Sequence, residues 1–178
     1  REDTLAEILQ KTGAVEIHPY NDYRVIAGQA TAAMELLNSI PDMQIVMAPV
    51  GGGGLLSGTA LSARYFGTGI RVIAAEPAGA DDAFRSFYGG SLVPSINPET
   101  MADGLLTSLG SLTYPIIKKY VDQIVTVSED GIREAMQLIW ERMKIVIEPS
   151  SAVPLAAILE KKADATGKRT GIIISGGN

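Results

Sequence analysis

The sequence has no cysteine, one histidine and one tryptophan in 178 residues. Without thiols there can be no disulfide framework, no thiolate zinc site and no cysteine nucleophile. His18 alone cannot build a multi-histidine metal centre. A cysteine-free chain suits a reducing compartment, and a cytoplasmic location is the expectation. No apolar run approaches the ~20 residues of a membrane-spanning helix, so no membrane partner is expected. Basic side chains number 15 against 20 acidic ones, a net charge of -5. Neutralising a phosphate backbone needs clustered Lys and Arg, so no nucleic-acid partner is expected either. No signal-peptide pattern is visible, and the chain starts at Arg1 rather than Met, as a processed or partial polypeptide would.

What is present reads as a globular chain able to bury a sizeable core. Short apolar runs alternate with helical stretches. Leu5, Ile8 and Leu9 share a helix face, and Gly13 is a plausible stop. Ala14-Val15-Glu16-Ile17 reads as a short strand, and residues 23–37 as a helix rich in Ala, Met and Leu. Strands are expected at 44–49, 71–75, 123–127 and 171–174, and helices at 55–65, 112–120 and from Ser150 or Ser151 to about 162. Ser128 is a candidate cap for another helix whose Ile132, Met136, Ile139 and Met143 face one way. Residues 77–111 are punctuated by Gly and Pro and read as loops with short helices. The alternation implies an α/β fold, a parallel sheet flanked by helices.

The most informative local feature is a strand, four glycines (Gly51, Gly52, Gly53 and Gly54) and a helix. Consecutive glycines let a backbone approach a ligand closely and adopt positive φ. At a helix start, free N–H groups and the dipole favour an anion, usually phosphate. No Gly-Lys-Ser/Thr follows, so the loop is not a Walker A motif. Gly52, Gly54 and Gly58 also give G-x-G-x-x-x-G, and Glu76 ends the following strand. A dinucleotide-binding fold places its ribose-binding acid there, roughly 20 residues on. On this segment alone, dinucleotide binding and phosphate-cofactor binding both remain open.

Beyond the loop stand Glu76-Pro77-Ala78-Gly79-Ala80-Asp81-Asp82, Ala102-Asp103-Gly104, Trp140-Glu141-Arg142-Met143-Lys144, Ile147-Glu148-Pro149-Ser150-Ser151 and Ser175-Gly176-Gly177-Asn178. In order and spacing, from about His18-Pro19 to the end, this set resembles the fold-type II pyridoxal-phosphate enzymes of the serine/threonine dehydratase and serine racemase group. The resemblance implies dehydration or racemisation of serine, threonine or another 3-hydroxy amino acid, with pyridoxal 5'-phosphate as cofactor. Gly51 to Gly54 and the Leu55 amide would cradle its phosphate, and Ser175 would face its pyridine nitrogen. Glu148, Asp103 and Gly104 would form pocket wall. Glu76, the Ala80 carbonyl and Asp82 would hold Mg²⁺ or Ca²⁺, ions suited to hard oxygen ligands. A homo-oligomer is expected.

Two family features are missing. One is the lysine that anchors the cofactor covalently; the other is the Ser-Ser-Gly-Asn-His loop that meets the substrate carboxylate. None of Lys11, Lys118, Lys119, Lys144, Lys161, Lys162 and Lys168 stands in the matching context. Residues 1–178 therefore read as the C-terminal, large-domain part of such an enzyme, inactive without its N-terminal half. Smaller departures are Ala30, where the family has Gly, and Tyr20-Asn21 after His18-Pro19. His18 itself reads as a structural residue at a strand end rather than a catalyst.

Overall fold

In a computed structural model, residues 2–177 are described. Asn178, the last member of the Ser-Gly-Gly-Asn motif, lies outside them. Four parallel strands, β1 (Ile45–Pro49), β2 (Arg71–Pro77), β3 (Gln123–Val127) and β4 (Thr170–Ile172), form one sheet in the order β3-β2-β1-β4. β1 lies inside the sheet and is buried along its whole length. Its side chains are therefore apolar without a break, the signature of a parallel strand covered on both faces.

The two faces carry separate cores. Val46, Ala48, Val72, Ala74 and Ile124 pack toward α2 (Tyr23–Ser39), α3 (Gly54–Phe66) and α5 (Thr113–Tyr120). Ile45, Met47, Ile73, Val125 and Val127 pack toward α6 (Glu129–Met143) and α7 (Pro149–Leu159). α7 is buried almost all round, which explains its run of small and apolar side chains. α2 and α3 touch backbone to backbone. A Cβ on Gly58 would stand 2.5 Å from the Ala30 nitrogen and 2.8 Å from the Ile26 carbonyl oxygen. Gly58 thus provides the clearance where Ala30 sits. Ser128 caps α6 as expected, its Oγ accepting from the Gly131 amide at 3.0 Å.

Some sequence-based expectations fail. Residues 14–17 form no strand; they lie outside the sheet, with Val15 78% and Ile17 74% exposed. A strand needs a neighbour to pair with, and none of the described residues supplies one. The preceding α1 (Glu2–Thr12) likewise leaves Leu5 and Ile8 exposed. Met143, expected on the inner face of α6, is exposed, and the final helix stops at Leu159. By contrast, α4 (Asp82–Gly89) is one of the short helices expected within the glycine-punctuated stretch. Among the described residues, no helix is long and apolar enough to cross a membrane.

Candidate active site

The carboxyl ends of β1, β2 and β4 carry the residues that sequence reasoning singled out, the edge at which open α/β sheets bind ligands. After β1, Val50 donates to the Ala75 carbonyl at 3.1 Å, and the four glycines turn into α3. Gly53 has φ +88, which L side chains rarely adopt. Thr113 Oγ donates to the Gly52 carbonyl and accepts from the Gly110 amide, both at 2.8 Å, pinning the loop from behind. Tyr20 packs on Gly52 and Gly54, where Cβ atoms would strike it. Asn21 Oδ1 accepts from the Leu112 amide at 2.8 Å. His18 Nδ1 accepts from the Asn21 amide at 2.9 Å and the Tyr20 amide at 3.3 Å. His18 is therefore structural, though in a loop rather than at a strand end.

The amides of Gly52, Gly53 and Gly54 donate to no other described residue. They sit at the start of α3, where the helix dipole adds positive potential. Such a set of donors is chemically suited to a phosphate. The missing Cβ atoms also matter here, since one on Gly51 would reach 3.0 Å from Leu105 Cα and 3.2 Å from the Gly104 carbonyl.

A continuous rim leads from there to Ser175. A Cβ on Gly104 would lie 2.8 Å from Ser150 Oγ and 4.0 Å from Glu148 Oε1, and one on Gly176 would lie 2.9 Å from Glu148 Oε2. Glu148 is thus sandwiched between the Gly104 and Gly176 backbones. Ser175 Oγ stands 3.5 Å from Glu148 Oε1 and 3.0 Å from Ser151 Oγ. Gly51, Gly104, Glu148 and Ser175 are brought together. Asp103 is exposed, and no described hydrogen bond or ion pair ties its carboxylate to the rim. Sequence reasoning gave no role to Thr113, Tyr20 or Ser151. Of these, only Ser151 carried a signal, its place inside the Glu148-Pro149-Ser150-Ser151 motif.

Glu76 and Asp82 stand apart from this rim, at the end of β2 and the start of α4. Glu76 is 1% exposed and Asp82 2%. Glu76 Oε1 accepts from the Phe84 amide at 2.5 Å and Oε2 from the Ala83 amide at 3.2 Å, so Glu76 caps α4. Burial pushes Glu76 up to about 9 and Asp82 up to about 6. A carboxylate buried and engaged in this way cannot serve as a ribose-binding acid, which removes the dinucleotide reading of Glu76. Asp82 Oδ2 is buried without a close hydrogen bond, although the Leu109 amide and the Ser95 hydroxyl lie near enough to Asp82 to oppose the effect of burial. Among the described residues, no three His, Cys, Asp or Glu side chains cluster as a metal set. Two buried carboxylates, one with an orphaned oxygen, nevertheless suit a hard cation completed by carbonyl and water oxygens.

A family sequence profile described as "Pyridoxal-phosphate dependent enzyme" matches residues 1–176. A beta-hydroxyaspartate dehydratase of Paracoccus denitrificans (strain Pd 1222) is 50% identical over 178 residues, which are 100% of this chain and 56% of that protein. The crystal structure of serine racemase from Dictyostelium discoideum superimposes with a TM-score of 0.94 at 49% identity, over 100% of this chain and 58% of that one. The crystal structure of a threonine deaminase of T.th. does so with a TM-score of 0.94 at 43% identity, over 100% of this chain and 59% of that one. The chain spans about half the length of the curated relatives it matches.

Proposed function

The chain belongs to the pyridoxal-phosphate dependent enzyme family, and on that premise we propose that it is the C-terminal, large-domain part of a dehydratase or racemase acting on serine, threonine or another 3-hydroxy amino acid. The observation that carries this reading is the glycine loop, whose amides have no partner among the described residues at the start of α3, on one rim with Glu148 and Ser175. When bound, pyridoxal phosphate supplies an electron-withdrawing ring that makes the Cα proton of an attached amino acid acidic.

The residues of the chain divide the remaining work. The amides of Gly51 to Leu55 bind the phosphate, and the α3 dipole adds to their pull. Ser175 is a neutral hydroxyl, so it offers the ring nitrogen a hydrogen bond and not a proton, as suits β-elimination. Glu148 and the Asp103-Gly104 segment wall the pocket. The exposed apolar surface fits the same reading. Trp140 and Val146 border a groove of about 830 Å³ also lined by Met101, Met136, Ile147 and Pro149. That groove, with Val15, Ile17 and the face of α1, is where the rest of the parent protein or a second subunit packs.

Titrating the chain with pyridoxal phosphate tests the proposal. Saturable binding that inorganic phosphate displaces is expected; binding indifferent to phosphate, or none, counts against the glycine loop as its seat.

The proposal extends to Mg²⁺ or Ca²⁺ at Glu76, Asp82 and the Ala80 carbonyl. Both carboxyls are raised by burial, so the folded state holds protons that the unfolded chain releases. Without a cation, the Glu76 contribution to stability is fully present below its ordinary range and is lost as pH rises toward about 9. A divalent cation binds the ionised pair and offsets that loss by mass action. Millimolar Mg²⁺ or Ca²⁺ is therefore expected to raise the melting temperature, and to raise it more at pH 8 than at pH 5. An identical melting curve with and without cation at pH 8 removes the ion from the proposal.

A further inference from the structure

Ser151 is fully buried near the start of α7, and its hydroxyl meets three polar atoms. The Gly176 amide donates to it at 2.8 Å, the Gly176 carbonyl lies 2.8 Å away as an acceptor, and Ser175 Oγ lies at 3.0 Å. A hydroxyl has one proton and two lone pairs. The Gly176 amide occupies one lone pair. The single proton must then choose between the Gly176 carbonyl and Ser175 Oγ.

The choice is nearly free, because the Gly176 carbonyl has a second donor. The Glu148 amide reaches it at 3.1 Å, so turning Ser151 away leaves no buried carbonyl unpaired. The two settings do opposite things to Ser175. When Ser151 donates to Gly176, it presents a lone pair to Ser175, whose proton then turns inward and leaves lone pairs facing out. When Ser151 donates to Ser175, the Ser175 proton is released to point outward. Its alternative acceptor, Glu148 Oε1, is at 3.5 Å, a weak competitor.

We infer that Ser151 is a positioning residue: by donating to Ser175 it turns the Ser175 proton outward, toward an unprotonated ring nitrogen of the bound cofactor. The inference rests on the reading of Ser175 given under Proposed function and adds a residue to it. Ser151 touches neither cofactor nor substrate in this role; it acts through Ser175.

The test uses the 178-residue chain loaded with pyridoxal 5'-phosphate carrying ¹⁵N in its ring, with the nitrogen resonance followed across pH. In Ser151→Ala the Ser175 oxygen loses the donor that fixes its rotamer, so its proton divides between the ring nitrogen and the weak acceptor Glu148 Oε1. The ring nitrogen resonance then moves part of the way toward that of unbonded pyridine. Ser175→Ala is expected to move it the whole way, and the double variant no further than Ser175→Ala, since both act on one bond. Ser151→Thr keeps the hydroxyl and is expected to restore the original resonance. If the alanine variant does not fold, Ser151→Thr compared with Ser151→Cys, a weaker donor, gives the same contrast. A resonance that moves in Ser175→Ala but not in Ser151→Ala overturns the inference and leaves the role of Ser175 standing. A resonance that moves in neither, or cofactor that does not bind, overturns both.

Discussion

Replacing Gly53 by alanine is expected to abolish phosphate binding at the glycine loop and to remove about 2–5 kcal/mol of folding stability. Two costs add. A Cβ at φ +88 meets the strain that keeps L residues out of left-handed backbone, about 1–2 kcal/mol. It would also stand 2.8 Å from Ile117 Cδ1 and 2.9 Å from both Leu109 Cδ2 and Thr113 Oγ1. Ile117, Leu109 and Thr113 are all buried, so none can swing into solvent; overpacking of that kind costs roughly 1–3 kcal/mol. Displacing Thr113 also frees the Gly52 carbonyl that it holds, so the loop loses its shape as well as its room. Against a total stability of about 5–15 kcal/mol the loss is large. Gly69→Ala is the control: its φ is +66 with nothing within 4 Å of an added Cβ, so it bears the backbone strain alone. Urea unfolding of both variants, with phosphate titrations beside it, separates the costs. A Gly53→Ala chain that binds phosphate like the parent would remove the loop from the proposed site.

The second large effect is on turnover. The purified chain with pyridoxal phosphate is expected to release keto acid from serine or threonine no faster than the cofactor alone. A lysine in this family both anchors the cofactor and carries the Cα proton, and a positioned acid–base group contributes ~10²–10⁴-fold. Among the described residues, no hydrogen bond or ion pair joins a lysine to the glycine loop, Glu148 or Ser175. Lys118 donates to the Phe87 carbonyl, Lys119 lies over the Tyr120 ring, and Lys11 faces Glu7. Keto-acid release clearly above the protein-free rate would mean that one of the seven lysines is recruited to the pocket. Supplying the lysine-bearing half in trans is the natural complement to this assay.

The parts of this fold that could be read from sequence are those whose cause is local. β1 is an unbroken apolar run and β2 carries one from Val72 to Ala75, and a doubly covered parallel strand looks like that wherever it occurs. The glycine loop was legible for the same reason, since backbone conformation dictates the residue. The strand pattern at residues 14–17 records a willingness to pair, not the presence of a partner. α4 could be anticipated only as one of several short helices, without bounds, because its first amides are capped by Glu76, a side chain that arrives from the end of β2. Glu76 itself was visible as an acid at a strand end, but burial, which decides what an acid can do, is a tertiary property. Thr113 and Ser151 were given no role because their partners lie 61 and 25 residues away in sequence.

Trp140 has an optical consequence. It is the only tryptophan in the chain, and it stands 66% exposed on the edge of the apolar groove. The indole emission of the folded protein therefore comes from one surface position whose solvation depends on what covers it. Water around the ring draws the emission to long wavelength, and an apolar lid would move it the other way. Assembly can thus be followed by colour alone, without attaching a dye to the cysteine-free chain.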